Sequence, residues 1–256
     1  MRHRKRFGQN FLRDEQIIDR IFSAVDVKPR EFLLEIGPGS GALTSQFYAV
    51  PNLRYSAIEI DRDLSVGLRR QFPALDLISD DVLSLDLNVI LSEGDNWRIL
   101  GNLPYNITTP IFFKFAECCG GSTIRDLHFM VQKEMAERLV SEPGSKNWGR
   151  LSVIMQIYFN LEHLFDVNPK SFSPEPKVWS SFVKLVPKEL SLGSGQMKML
   201  DSLLRYAFSG RRKKVLNSLK SFDINWSIVD IDPSERADSL STSDYLRLVN
   251  YLDGGE

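Results

Sequence analysis

The sequence predicts an α/β protein: a mostly parallel sheet with helices on both faces, followed by a small all-helical unit. Three observations predict it. From about residue 17 to 187, short apolar or β-branched runs alternate with helical stretches. A loop of three glycines within residues 37–41 joins one such run to a helix. Beyond residue 196 the β signal stops and only helical periodicity remains.

The elements follow in order. Apolar residues at 17, 18, 21, 22 and 25 make a helical stripe. Strand-like runs occur at 32–36, 55–60, 75–78, 99–100 and 127–131, with helical stretches at 42–48, 64–72, 110–118 and 134–140. Two later β-type runs, 151–165 and 180–186, have no obvious helix between them, which predicts an antiparallel hairpin at one sheet edge. Residues 188–196, containing Leu-Ser-Leu-Gly-Ser-Gly, read as a linker. Helices are expected at 197–208, 211–222 and 243–252. The expected domains are therefore 1–187, the linker 188–196, and a helical 197–256.

A chain of 256 residues holds one full core and a smaller appendage. Its formal net charge of -1 points to no polyanion partner globally, but its distribution does. Arg2, Arg4, Lys5, Arg6 and Arg13 crowd the N-terminus, and Arg211, Arg212, Lys213 and Lys214 form a second block. Basic clusters on a near-neutral chain predict local phosphate footprints. The only cysteines, Cys118 and Cys119, are adjacent, so no disulfide framework and no zinc spacing arises. No apolar run reaches membrane-spanning length, and no apolar segment of a secretory signal follows the Arg-rich start. A cytoplasmic monomer without a membrane partner is the expectation.

The run at 32–36 leads into Gly37-Pro38-Gly39-Ser40-Gly41-Ala42. Glycines belong where the backbone turns tightly and approaches a ligand closely. Twenty-two residues beyond Gly37, Glu59 ends the next strand-like run, where a carboxylate can accept both hydroxyls of an adenosine ribose. Gly37, Gly39 and Ala42 also satisfy the nicotinamide-dinucleotide fingerprint. The acidic Glu35 before the loop and the further glycine at 41 favour S-adenosylmethionine, which has no pyrophosphate to cradle. Asp81, with Asp80 its rival, stands after the third strand-like run to accept from the cofactor's adenine amine.

After the strand-like run 97–100 comes Gly101-Asn102-Leu103-Pro104-Tyr105. The 6-amino group of adenine is a poor nucleophile because its lone pair is delocalised into the ring. Two acceptors facing its N–H bonds favour a tetrahedral nitrogen with a localised lone pair. The Asn102 side-chain carbonyl and a main-chain carbonyl at Leu103 or Pro104 are such acceptors. Tyr105 offers a flat face for a base taken out of its stack. None of His3, His128 and His163 has a nucleophile or base partner, and His128, in an apolar run, reads as core. No general base is required, since the product ammonium loses its proton to water.

The glycine loop, Glu59, Asp81 and the Asn-Leu-Pro-Tyr turn, at the ends of successive strands, resemble the ribosomal RNA adenine dimethyltransferase family, most closely its small-subunit (16S) branch. Phe7-Gly8-Gln9-Asn10-Phe11-Leu12, Val131-Gln132-Lys133-Glu134, Gly149-Arg150-Leu151-Ser152 and Phe172-Ser173-Pro174-Glu175-Pro176-Lys177-Val178 match further family blocks, so the resemblance covers nearly the whole chain. Leu103 favours this branch over relatives that methylate large-subunit rRNA, where Ile is expected. The resemblance implies a Rossmann-like S-adenosylmethionine-dependent methyltransferase sheet, with the cofactor held by Asn10, Leu12, Gly37, Glu59, Asp81 and Asn102. It implies two methyl groups on each of two adjacent adenines near the 3′ end of small-subunit rRNA. It also favours Phe172, stiffened by Pro174 and Pro176, as a second stacking face opposite Tyr105. The two basic blocks are then expected to bind rRNA phosphates, the substrate being a pre-ribosomal particle. Three other readings stand beside it: a DNA adenine methyltransferase, a nicotinamide oxidoreductase, and a non-enzymatic ribosome-assembly factor.

Overall fold

The computed structural model describes residues 9–118, 123–189, 192–210 and 212–254. They form two compact units, one combining the chain up to Ala136 with Asn160–Pro187, the other combining Glu137–Phe159 with the chain from Lys188. The segment 137–159, expected from the sequence in the first domain, thus packs with the C-terminal helices.

The first unit runs β1 (Phe11–Leu12), α1 (Glu15–Val25), β2 (Phe32–Ile36), α2 (Ala42–Tyr48), β3 (Arg54–Ile58), α3 (Arg62–Gln71), β4 (Asp76–Ile78), α4 (Leu87–Leu91), β5 (Trp97–Asn102), α5 (Thr108–Cys118) and β6 (Ile124–Gln132). Helix α6 (Lys133–Leu139) crosses between the units, and β7 (Phe159–Val167), β8 (Phe172–Ser173) and β9 (Ser180–Pro187) complete the strands. Seven strands make one sheet in the order β4-β3-β2-β5-β6-β9-β7, while β1 and β8 pair separately. From β4 through β6 the neighbours are parallel, and β9 runs antiparallel to β6 with Ser180 opposite Gln132. The chain leaves β2 outward to β3 and β4, then returns to β5 on the other side. Strand order therefore reverses between β2 and β5, and a crevice opens beyond their C-terminal ends.

Local chemistry accounts for the elements. Asp14 caps α1 by accepting from the Gln16 amide at 3.1 Å, and Ile18, Ile21 and Val25 form its buried stripe. The other Asp14 oxygen accepts from the Ser171 hydroxyl at 2.8 Å, holding the turn before β8. Pro110 lies in the first turn of α5, where its missing N–H is not needed. On one face of the sheet, Ile21, Phe47, Leu68 and Phe72 pack with Leu33, Leu100 and Phe182. On the other, Phe112 and Phe115 of α5 lie 5.7 and 5.8 Å from the Phe129 ring. Each such side chain contributes about 1.5–3 kcal/mol on burial. The buried Arg98–Asp126 pair bridges β5 and β6 through two hydrogen bonds, 2.9 and 2.7 Å, so neither charge is left bare.

The second unit contains α7 (Arg150–Tyr158), α8 (Ser194–Ala207), α9 (Val215–Ser218), α10 (Trp226–Val229) and α11 (Thr242–Leu252). The Trp148 indole N–H donates to the Leu240 carbonyl at 3.1 Å, tying the loop before α7 to the turn before α11. Ser241 caps α11, and the Tyr245 hydroxyl donates to the Ala237 carbonyl at 2.8 Å. Two expectations are corrected here. Residues 151–158 are helix, not strand, because burial on nearly every side of α7 erases the amphipathic period that marks a helix in sequence. The expected helix 211–222 shrinks to the four residues of α9. Its N-terminal part is drawn into extended pairing instead. Lys214 bridges Arg236, and the Val215 amide donates to the Glu235 carbonyl at 2.8 Å. No helix among the described residues is long and apolar enough to cross a membrane.

Candidate active site

A cleft of about 1110 Å³, counted to its open mouth, lies at the reversal of strand order in the first unit. The expected cofactor residues Asn10, Leu12, Gly37, Glu59, Asp81 and Asn102 all line it, as do Leu103, Pro104 and Tyr105. Asp80 lines it beside Asp81.

The glycine loop forms one wall. Gly39 has φ +59°, and a Cβ added there would meet the Phe11 ring at 2.9 Å. Only glycine lets the loop and β1 close on each other in this way. Glu59 follows β3 directly and is buried. One carboxylate oxygen accepts from the Gly39 amide at 3.0 Å, the other from the Asp61 amide at 2.8 Å. Each oxygen retains a further lone pair for a ligand hydroxyl. Burial pushes the Glu59 carboxyl above the usual range, against the pull of these amides. Glu35 lies deeper, accepting from the Thr44 hydroxyl at 2.7 Å and the Tyr55 hydroxyl at 2.5 Å. Burial pushes its carboxyl up to about 7, the two hydroxyls opposing the rise. Ile60, 43% exposed, and Val82 add apolar walls that periodicity alone did not single out.

The opposite wall is the Asn102–Tyr105 turn, beginning where β5 ends. The Asn102 amide N–H donates to the Asn10 backbone carbonyl at 2.8 Å. That bond restrains the amide plane, and the side chain keeps an oxygen able to accept and a second N–H able to donate. The Pro104 carbonyl accepts from the Ile107 amide at 3.1 Å and the Thr108 hydroxyl at 3.2 Å, using both lone pairs. Of the two main-chain acceptors the sequence left open, Leu103 is therefore the one available. Its amide donates to the Met130 carbonyl at 3.2 Å, which holds the turn against β6. The Tyr105 hydroxyl pairs with the Ser180 hydroxyl at 2.8 Å, a partner 75 residues away that no sequence signal announced.

Phe172 stands apart from the other expected site residues. It is 5% exposed, packs with Leu12, Phe165 and Phe182, and does not line the cleft. Its strand β8 pairs with β1, setting Phe172 opposite Leu12. His128 is fully buried, as its apolar run implied, and the His163 imidazole pairs with Asp166 at 2.8 Å. Of the basic blocks, Arg212, Lys213 and Lys214 are exposed on the second unit. Arg4, Lys5, Arg6 and Arg211, with His3 and Cys119, lie outside the described residues.

The donor set fits an adenosyl ligand bearing a charged amino-acid end: a carboxylate with spare lone pairs, a close backbone wall, and apolar faces. Comparison with known proteins agrees. A family model for ribosomal RNA adenine dimethylase matches residues 1–254. The ribosomal RNA small subunit methyltransferase A of Dechloromonas aromatica is 46% identical over 255 residues, 97% of each chain. That of Pseudomonas syringae pv. tomato is 43% identical over 98% of this chain and 95% of its own. Among solved structures, a dimethyladenosine transferase from Plasmodium falciparum superposes with TM-score 0.79 at 26% identity, covering 95% of this chain and 98% of that one. The 23S rRNA methyltransferase ErmE superposes with TM-score 0.70 at 25% identity, covering 95% and 100%. With the whole chain matched and relatives well above 30% identity, the chain belongs to the ribosomal RNA adenine dimethylase family.

Proposed function

We propose that this protein is an rRNA adenine N6,N6-dimethyltransferase that uses S-adenosylmethionine to dimethylate two adjacent adenines near the 3′ end of small-subunit rRNA. One observation carries the reading. Asn102 lines the cleft with its amide held by the Asn10 carbonyl, and its side-chain oxygen is the kind of acceptor the target amine needs.

Glu59 would hold the ribose hydroxyls, Asp81 or Asp80 the adenine amine, and the loop at Gly37 and Gly39 the amino-acid end, with Asn10 and Leu12 closing over it. When bound, S-adenosylmethionine supplies an electrophilic methyl group. The chain's own work is to present the nucleophile. The Asn102 amide oxygen and the Leu103 carbonyl accept from the two N–H bonds of the target amine, localising its lone pair. Tyr105 holds the extracted base by stacking, and its own hydroxyl, pushed up by burial, stays protonated on Ser180. Both acceptors are fixed before substrate arrives, so little reorganisation is needed at the moment of reaction. The exposed basic residues Arg212, Lys213 and Lys214 of the helical unit would bind rRNA phosphates, in a pre-ribosomal particle in the cytoplasm, with the enzyme acting as a monomer.

The test is to incubate purified protein with labelled S-adenosylmethionine and under-methylated small ribosomal subunits, then digest the RNA and identify the nucleosides. Dimethyladenosine at two adjacent positions near the 3′ end is the expected outcome. Label in large-subunit rRNA instead would move the substrate, and no label in any RNA would overturn the reading.

A further inference from the structure

Strand β1 is only two residues long, as is its partner β8. It nevertheless supplies a stretch of cleft wall, since Asn10, Phe11 and Leu12 all line the cleft. The Asn10 carbonyl accepts from the Asn102 side-chain N–H at 2.8 Å. The Phe11 ring lies so close to Gly39 that a Cβ there would meet it at 2.9 Å. One short segment thus touches both the glycine loop and the turn proposed to meet the target amine. A ladder of two residues holds such a segment weakly. The chain adds a clasp just beyond it. The Arg13 amide donates to the Ser171 carbonyl at 2.9 Å, and the Ser171 hydroxyl donates to one Asp14 oxygen at 2.8 Å. The other Asp14 oxygen is engaged separately, capping α1 through the Gln16 amide at 3.1 Å. Ser171 stands on a stiff base. It ends the single helical turn Pro169–Ser171, in which proline fixes one φ and Asn168 caps by accepting from the Lys170 amide at 2.9 Å. Asp14 and Ser171 both stand outside the cleft lining, so neither meets a ligand there.

We propose that Ser171 and Asp14 are positioning residues for methyl transfer: their hydrogen bond keeps β1 on the cleft wall, so that closing the cofactor site and restraining Asn102 are one event. The proposal rests on the S-adenosylmethionine reading above. If β1 detaches, apparent cofactor affinity falls in proportion to the fraction of molecules in which it is in place. Bound cofactor in turn favours the attached state, so saturating S-adenosylmethionine offsets a lost clasp. The signature is weaker cofactor binding with turnover retained.

The experiment compares wild type with Ser171→Ala, Ser171→Thr and Asp14→Ser. Serine at 14 still caps α1 but is too short to reach Ser171. Calorimetry gives Kd for S-adenosylmethionine, and hydrogen exchange of the Arg13 amide is followed without cofactor. KM for S-adenosylmethionine and kcat are measured on under-methylated small subunits. S171A and D14S should each raise Kd and KM about 3- to 10-fold, speed exchange at Arg13 and leave kcat near wild type. S171T, which keeps the hydroxyl, should behave as wild type. The double variant should bind no more weakly than either single one, because all three lose the same bond. Unchanged Kd in both S171A and D14S overturns the proposal. So does a fall in kcat with KM unchanged, which would make the clasp a support of the catalytic turn alone. Wild type that binds no S-adenosylmethionine removes the cofactor reading and this proposal with it. Wild type that binds and methylates, beside variants that do the same equally well, overturns the clasp alone.

Discussion

Asn102 shows how one hydrogen bond restrains a side chain. An amide offers both donors and acceptors, and the chemistry here needs the acceptor. The Asn10 carbonyl takes one N–H and restrains the amide plane, and the oxygen is the acceptor the proposed chemistry uses. Replacing Asn102 by Ala should lower methyl transfer by about 10²–10³-fold, while S-adenosylmethionine affinity, measured by calorimetry, falls far less. Near wild-type turnover would remove the proposed role. Phe172 makes the opposite case. Its ring is core, so Phe172→Ala should cost about 3–5 kcal/mol of stability in urea denaturation. Loss of RNA affinity at full stability would instead assign it as a base-stacking face. Asn102 was legible in sequence because its turn chemistry pointed to a use. The burial of Phe172 was not legible, because an aromatic beside prolines looks the same in sequence whether its face is open or covered.

At the scale of elements, β6 carries an acid-sensitive group. His128 is fully buried on it, stacked on Phe182 with ring centroids 6.0 Å apart, and neither ring nitrogen finds a hydrogen-bond partner among the described residues. Burial lowers its pKa to about 4, although Asp126 at 3.5 Å pulls the other way. In the unfolded chain the imidazole titrates near its ordinary 6.5. Between pH 6.5 and 4 the unfolded state therefore takes up a proton that the folded state refuses. The contribution to stability is whole above pH 6.5 and is lost as pH falls through that window. Denaturation midpoints measured from pH 8 to 4 should show this slope in wild type and a shallower one in His128→Leu. Equal slopes would assign the acid sensitivity elsewhere. Elements with a clean period, such as α1 and β2, were legible directly. Those that the interior surrounds, such as α7, were not, because burial on all sides removes the contrast that periodicity reads.

For the whole molecule, the net charge of -1 conceals a local basic surface. Arg212, Lys213 and Lys214 are all exposed, and none belongs to the helix the sequence suggested. If they bind phosphates, log affinity for rRNA should fall linearly with log salt. A double Arg212→Ala, Lys213→Ala variant should reduce that slope by about 0.7 for each single-strand phosphate it no longer neutralises. An unchanged slope in filter-binding measurements would place the phosphate footprint on other residues.

The sequence by itself determined the α/β class, the glycine loop with Glu59, and the Asn-Leu-Pro-Tyr turn at a strand end, because each rests on neighbours close along the chain. Periodicity, glycine geometry and strand-end placement are local physics. Tertiary structure decided what depends on residues far apart: that Asn10 restrains Asn102, that Ser180 anchors Tyr105, and that Phe172 is buried. It also decided that segment 137–159 packs with the C-terminal helices and that Lys214 bridges Arg236 instead of continuing a helix. Such pairings form only when the chain closes on itself, and no local pattern encodes which distant partner a polar group or a ring will meet.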